Sequence, residues 1–167
     1  SKVGARASGV PGALAAYGLA TREHGKLPLK WHLENAARIA ENGFQIPNAY
    51  AGRIRATASD LRRFEASAAL LLDNEDKPRK AGQLLKQPDL AKTYRAVAKN
   101  GISWFYGGSF ALAAEEWMKT HGGIMTARDL ANYKVKLRAP IRVTYRGHEI
   151  VSMPPPSSGG VHLGQIL

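Results

Sequence analysis

Apolar residues recur at helical spacing over most of the first 133 positions and then change to strict alternation. Ala13, Leu14, Ala16, Tyr17 and Ala20 form a face of small residues suited to close helix packing. Pro11 occupies a first-turn position, where its missing N–H costs nothing, and Gly25 follows as a C′ residue. Leu33, Ala36, Ala37 and Ala40 mark a second helix over 30–42, ended by Gly43, with Phe44 placed for the contact that accompanies such caps. Pro47-Asn48 opens a longer helical region reaching about 73. Ile54, Ala58 and Leu61 make one stripe there and Phe64, Ala68 and Leu71 another, with Ser59-Asp60 a break between them. A charged loop follows over 74–82.

Pro88 starts a further helix, with Leu90, Tyr94 and Val97 on one face and Gly101 at its end. The segment Ser103-Trp104-Phe105-Tyr106-Gly107-Gly108 is expected on a turn, anchoring the edge of a core. A helix over 110–120 is expected to bury Phe110, Ala113, Ala114 and Trp117 and to stop at Gly122-Gly123. Thr126-Ala127-Arg128-Asp129 has the spacing of a capping box for a short helix.

From Lys134 the period is two. Val135, Leu137, Ala139, Ile141, Val143 and Tyr145 point one way, and Lys136, Arg138, Arg142, Thr144 and Arg146 the other, as in strands with one buried face. Pro140 requires a break or an edge. Arg146-Gly147 reads as a tight hairpin turn, and 148–152 as the returning strand. The chain then enters Met153-Pro154-Pro155-Pro156-Ser157-Ser158-Gly159-Gly160. Three prolines hold it extended, and the glycines permit a corner. A polyproline II linker or recognition peptide is one reading of this run; a buried strand-to-helix turn agrees better with its flanks. Beyond it, Leu163, Ile166 and Leu167 share one face of a helix, with Ser157 or Ser158 as N-cap. A helix of under two turns is expected to fray or to bury that face against a second copy.

The pattern describes an α+β chain, mostly helical, with a C-terminal β-hairpin: a helical part over 1–133, then hairpin, proline turn and short helix over 134–167. At 167 residues and 44% hydrophobic content it is of single-domain size. Nothing approaches the ~20 apolar residues of a membrane span, and no signal-peptide pattern opens the chain. The formal charge of +11 raises the question of nucleic acid. The cations are spread among acidic residues, and the dense stretches at 77–80 and 134–146 lack aromatic interleaving, so a solvated basic surface is the simpler reading. A basic helical module for an anionic partner stands as an alternative. With no cysteine, the chain has neither disulfides nor thiolate chemistry.

No self-contained active site emerges. Glu115 and Glu116 are adjacent and diverge on a helix. His24 and His121 fall near helix C-termini, where a cation suits the dipole. His148-Glu149 lies on a strand, and Ser152 stands where a zincin motif has its second histidine. Ser157 and Ser158 lack the Gly-x-Ser-x-Gly spacing of a nucleophile elbow. No metal and no cofactor is expected.

Several stretches, in order, resemble the large subunit of the γ-glutamyltranspeptidases. They are Gly9-Val10-Pro11-Gly12, the segment 36–44, Leu85-Lys86-Gln87-Pro88-Asp89-Leu90, Phe105-Tyr106-Gly107-Gly108, Gly122-Gly123 with 126–133, Tyr145-Arg146-Gly147, and Pro154 through Gly160. The ordered set covers nearly the whole chain. The resemblance implies an N-terminal-nucleophile hydrolase with an αββα core, made as a precursor that cleaves itself into large and small subunits. A threonine freed at the head of the small subunit takes a γ-glutamyl group from glutathione or a related donor and passes it to water or an amino acid. It also implies export to the periplasm or beyond. The nucleophile would lie past Leu167, the substrate-carboxylate arginine before Ser1, and the other donor-binding residues in the small subunit. None of Thr21, Thr57, Thr93, Thr120, Thr126 or Thr144 has the nucleophile's context, so no catalytic or substrate-binding residue is expected in this chain. Its expected partners are the remainder of the large subunit and the small subunit, with no nucleic acid or membrane. A cephalosporin-acylase-like relative of the same fold is the variant reading.

Overall fold

The computed structural model describes residues 3–167; Ser1 and Lys2, part of the loop expected over 1–9, lie outside them. A short 3-10 helix, Ala5–Ala7, interrupts the rest of that loop. The chain divides into two compact units between Lys134 and Val135.

The first unit holds α1 (Ala13–His24), α2 (Leu29–Asn42), β1 (Phe44–Gln45), α3 (Asn48–Ala56), α4 (Ala58–Leu61), α5 (Glu65–Leu71), β2 (Leu84–Leu85), α6 (Pro88–Asn100), α7 (Ile102–Gly107), α8 (Ser109–Thr120) and α9 (Ala127–Ala131). α2 packs along α6 through Ala37, Ala40 and Ala91, with Tyr94 closing the side of this cluster. Alanines at the contact let two backbones approach closely. A second cluster gathers Ile46, Ala51, Ile54 and Leu85, with Phe44 and Tyr50 stacked beside it. The link between the clusters is a pairing that the periodicity does not announce: Phe44 opposes Leu85 in a two-residue antiparallel ladder, and Gln87 N–H donates to Ala40 O at 2.7 Å.

Five expectations for this unit need correction. Pro11 is not in the first turn of α1 but precedes its N-cap, Gly12. Ser59-Asp60 is not a break but lies within α4; the helix instead interrupts at Thr57 and over 62–64. The aromatic segment 103–108 is not a turn. Residues 103–107 belong to α7 and Gly108 is the bend before α8, whose Phe110 stacks on Phe105 with centroids 4.0 Å apart. On α8 the buried residues are Ala111 and Met118, whereas Ala113 is exposed and Trp117 is 44% exposed, stacked on His121. Gly25 ends α1 in an extended conformation (φ −83°), not a left-handed one; a Cβ there would meet Thr21 O at 2.5 Å, which is the steric reason for glycine. The Thr126–Asp129 capping box is present in full, with both reciprocal bonds made.

The second unit holds β3 (Ile141–Tyr145), β4 (His148–Ser152) and α10 (Gly159–Ile166). The strands pair from Ile141↔Ser152 to Tyr145↔His148 across a turn in which Arg146 and Gly147 both have positive φ, as a two-residue hairpin loop requires. The expected strand before Pro140 is absent: 135–140 is irregular, and Leu137 is 81% exposed. The Pro155–Pro156 peptide bond is cis. The turn is exposed at Pro155, Pro156, Ser157 and Ser158, contrary to the buried turn expected, and Ser158 sits at the N-cap without a side-chain bond. α10 packs back on its own hairpin. Gly160 is buried there, and a Cβ on it would overlap Met153 O; a Cβ on Gly164 would press Val143 Cγ1. Glycine on this face lets the short helix seat on the strands, while Leu163, Ile166 and Leu167 stay exposed.

Candidate functional site

The hydroxyls, carboxylates and imidazoles that carry acyl-transfer chemistry can be followed one by one. Thr21, Thr57, Thr93 and Thr120 each donate to a carbonyl one turn back, Tyr17, Arg53, Asp89 and Glu116 respectively. Such back-bonding is the ordinary resting place of a helical threonine. Thr126 is engaged with Asp129, and Thr144 lies exposed on β3. Five of the six threonine hydroxyls thus have a local structural partner.

One pair has the elements of a nucleophile and a base. Thr120 Oγ1 lies 2.9 Å from His121 Nδ1. The same nitrogen is 2.8 Å from Trp117 O, and the hydroxyl is also 3.0 Å from that carbonyl. Both side chains are exposed at a helix end, with no carboxylate behind the imidazole to orient it, so this is a C-terminal cap and not a dyad. Glu115, by contrast, is positioned: it accepts from Ala127 N–H at 3.3 Å and pairs with Lys119 at 3.2 Å, which ties α8 to the start of α9. Among the described residues no group of three His, Asp or Glu side chains can hold a metal ion.

Two arrangements escape sequence reasoning. Arg95 makes a forked contact with Glu41, at 2.9 and 2.6 Å, fixing α6 to the end of α2. The Arg95 hydrogen bond, then its charge, hold the Glu41 carboxyl below the usual carboxylate range. Partners 54 positions apart leave no local trace in a sequence. The second is the Tyr106 hydroxyl, which donates to Pro11 O at 2.7 Å and accepts from Ala15 N–H at 3.1 Å. Burial raises its pKa, so the phenol keeps its proton. The Tyr106 ring stacks on Tyr133, 5.8 Å between centroids.

Among several concavities, two have the more apolar walls. An apolar groove of about 540 Å³ lies between α1, α2, α6 and α7, walled by Leu14, Tyr17, Leu29, Leu90, Tyr94 and Phe105. A shallower one of about 670 Å³ follows the proline turn, between Lys136, Arg138, Val151 and Pro154 through Ser157. The first is also lined by Thr21, Thr93 and His32, but both hydroxyls donate to backbone carbonyls, and among the described residues no hydrogen bond joins either to the imidazole.

The whole chain, residues 1–167, matches the family model described as Gamma-glutamyltranspeptidase. The chain belongs to the γ-glutamyltranspeptidase family. It is 42% identical over 165 residues to the Acylase ACY 1 proenzyme of Pseudomonas sp. strain SE83, covering 99% of this chain and 29% of that protein. It is 38% identical over 161 residues to the Glutathione hydrolase proenzyme of Escherichia coli K12, covering 96% of this chain and 28% of that one. Among solved structures, Helicobacter pylori γ-glutamyltranspeptidase superposes with a TM-score of 0.90 at 37% identity, over 98% of this chain and 47% of that chain. The fold is thus α+β and mostly helical, a part of the N-terminal-nucleophile hydrolase architecture. The chain spans less than a third of the length of the curated relatives it matches.

Proposed function

We propose that these 167 residues are a structural part of the large subunit of an enzyme that moves a γ-glutamyl group from glutathione or a similar donor to water or an amino acid. The observation that carries this reading is the match of the entire chain to the family, with a glutathione hydrolase proenzyme 38% identical over 96% of this chain. In this reading a threonine hydroxyl at the head of the small subunit attacks the γ-amide carbonyl, its own α-amine accepting the proton. The amine of the donor leaves, and water or an acceptor amine then cleaves the threonyl ester.

The chain itself contributes no catalytic, substrate-binding or metal-binding residue in this account. That agrees with the local bonding of its threonine hydroxyls. Its helical part over 1–133 and its hairpin part over 134–167 belong to one domain completed by further precursor sequence. The parent acts in the periplasm or outside the cell, and no described helix is long and apolar enough to cross a membrane.

A second reading has its own support. The Acylase ACY 1 proenzyme is 42% identical, and a cephalosporin acylase shares the fold. In that case the same threonyl chemistry releases an acyl side chain other than γ-glutamyl. The test is turnover by the purified full-length gene product of γ-glutamyl-p-nitroanilide against an acylated cephalosporin. Preference for the first supports γ-glutamyl transfer; preference for the second supports the acylase; turnover of neither contradicts both.

A further inference from the structure

The sequence holds six asparagines, and glycine follows two of them, at Asn42-Gly43 and Asn100-Gly101. With no side chain in the way, the backbone nitrogen of a glycine reaches the Cγ of a preceding asparagine most easily. Both pairs stand at the same place in a helix. Asn42 ends α2 and Asn100 ends α6, and each glycine is the C-cap, with φ of 88° and 81°. Each glycine N–H donates to the carbonyl four residues back, Ile39 O at 2.9 Å and Val97 O at 2.8 Å. While that bond holds, the nitrogen faces its own helix and not the neighbouring side chain. Reaction between them waits on local opening of the helix end.

The two ends differ in what must open. After Gly43 the chain enters the Phe44–Leu85 ladder, and Gln87 N–H holds Ala40 O in the last turn of α2. A Cβ on Gly43 would meet Lys86 Cγ at 2.8 Å, Leu85 O at 2.9 Å and Leu84 Cγ at 3.0 Å, so the backbone there is hemmed in. Gly101 is exposed, and a Cβ on it would find Ser103 Oγ at 3.8 Å, an ordinary contact distance. Asn100 is exposed as well, and its Nδ2 donates to Ala96 O at 2.9 Å, within the same last turn of α6. Fraying of that turn releases the side chain and the Gly101 nitrogen together, whereas release at Asn42 requires a tertiary ladder to part.

We propose that Asn100 is a site of spontaneous deamidation and that the fold holds Asn42 intact. The Gly101 nitrogen, giving up its proton, bonds to Asn100 Cγ; the Cγ–Nδ2 bond breaks, and ammonia leaves as the succinimide ring closes. Water then opens the ring at either carbonyl, giving aspartate or isoaspartate. Nothing is oxidised or reduced, and the co-reactant is water. The aspartate product loses the donor to Ala96 O and puts a negative charge at a helix C-terminus, where the macrodipole disfavours it. The isoaspartate product adds a main-chain methylene between α6 and α7.

The experiment ages the unaltered full-length protein in mildly alkaline buffer, folded and, in parallel, in denaturant. Peptides spanning 42–43 and 100–101 are followed by mass spectrometry for the amide-to-acid mass gain, and isoaspartate is located by isoaspartyl methylation. In the folded protein the rate at Asn100 is expected to exceed that at Asn42 by roughly tenfold or more, with aspartate and isoaspartate both formed, and the preference is expected to collapse in denaturant. A smaller ratio in the folded protein, a faster Asn42, or an Asn100 that stays intact would each overturn the proposal. A preference undiminished in denaturant would trace it to the flanking residues and not to the fold, and aspartate without isoaspartate would exclude the ring; either result also overturns it.

Discussion

The Tyr106 hydroxyl lies 2.7 Å from the carbonyl oxygen of Pro11, 95 residues away, and accepts the N–H of Ala15 in the first turn of α1. A helix start normally meets its free N–H groups with the side chain of its own N-cap. Here the N-cap is Gly12, which has none, and a Cβ on it would overlap the Tyr133 hydroxyl. The cap therefore arrives from α7. Tyr106→Phe removes it and leaves a donor and an acceptor at the head of α1 without this partner, an expected loss of about 1–2 kcal/mol. Denaturant titration of the full-length protein measures it, and a change under ~0.3 kcal/mol would contradict the capping role.

Gly160 is the second steric constraint. Its backbone is pressed against Met153 O as α10 returns to the hairpin. Gly160→Ala is expected to cost about 1–3 kcal/mol by overpacking. It should also speed amide exchange in 161–167 relative to the unaltered protein. Unchanged exchange there would mean that α10 is not held by this contact.

The capping box at α9 gives a pH dependence. The Thr126 side chain, followed by its backbone N–H, lowers the Asp129 pKa below the ordinary value. A depressed folded-state pKa adds stability above the unfolded-state value of about 3.9, and that stability is lost as pH falls through the lower folded value. Thr126→Ala is expected to destabilise by about 1 kcal/mol near neutrality. The difference from the unaltered protein should narrow below about pH 4. A difference constant from pH 7 to pH 2.5 would contradict the role assigned to the carboxylate.

What the sequence discloses and what it hides divide along the range of the interaction. Thr126 and Asp129 are three residues apart, and Arg146-Gly147 is a two-residue turn, so both are legible as local chemistry. The Phe44–Leu85 pairing and the Tyr106–Pro11 cap depend on partners far along the chain, and nothing near either residue signals them. Trp117 shows the other failure. Its helical spacing places it on an apolar face, yet that face stays open, because period describes a stripe and not what covers it. Leu137 fails in the same way: it alternates as a strand residue would, and no partner strand lies beside it. For the candidate site, the family resemblance implies that none of the chain's threonines is the nucleophile. Only the geometry adds that most of their hydroxyls are engaged with backbone carbonyls.

The basic hairpin tests the role of charge. Arg142 pairs with Glu149 at 2.8 Å across the strands, so part of the cationic row is already answered within the hairpin. DNA binding by the full-length protein is expected to be weak and to disappear near 0.15 M salt. Affinity that survives that salt and falls several-fold on replacing Arg138, Arg142 and Arg146 together would favour a nucleic-acid surface.

The central claim is that this chain is a non-catalytic portion of a self-cleaving family precursor. Intact-mass analysis and N-terminal sequencing of the active, full-length gene product test it most directly. The account predicts two chains: a larger one containing residues 1–167, and a smaller one beginning with threonine. Active enzyme recovered as one uncleaved chain, or as a smaller chain with a different first residue, would contradict it.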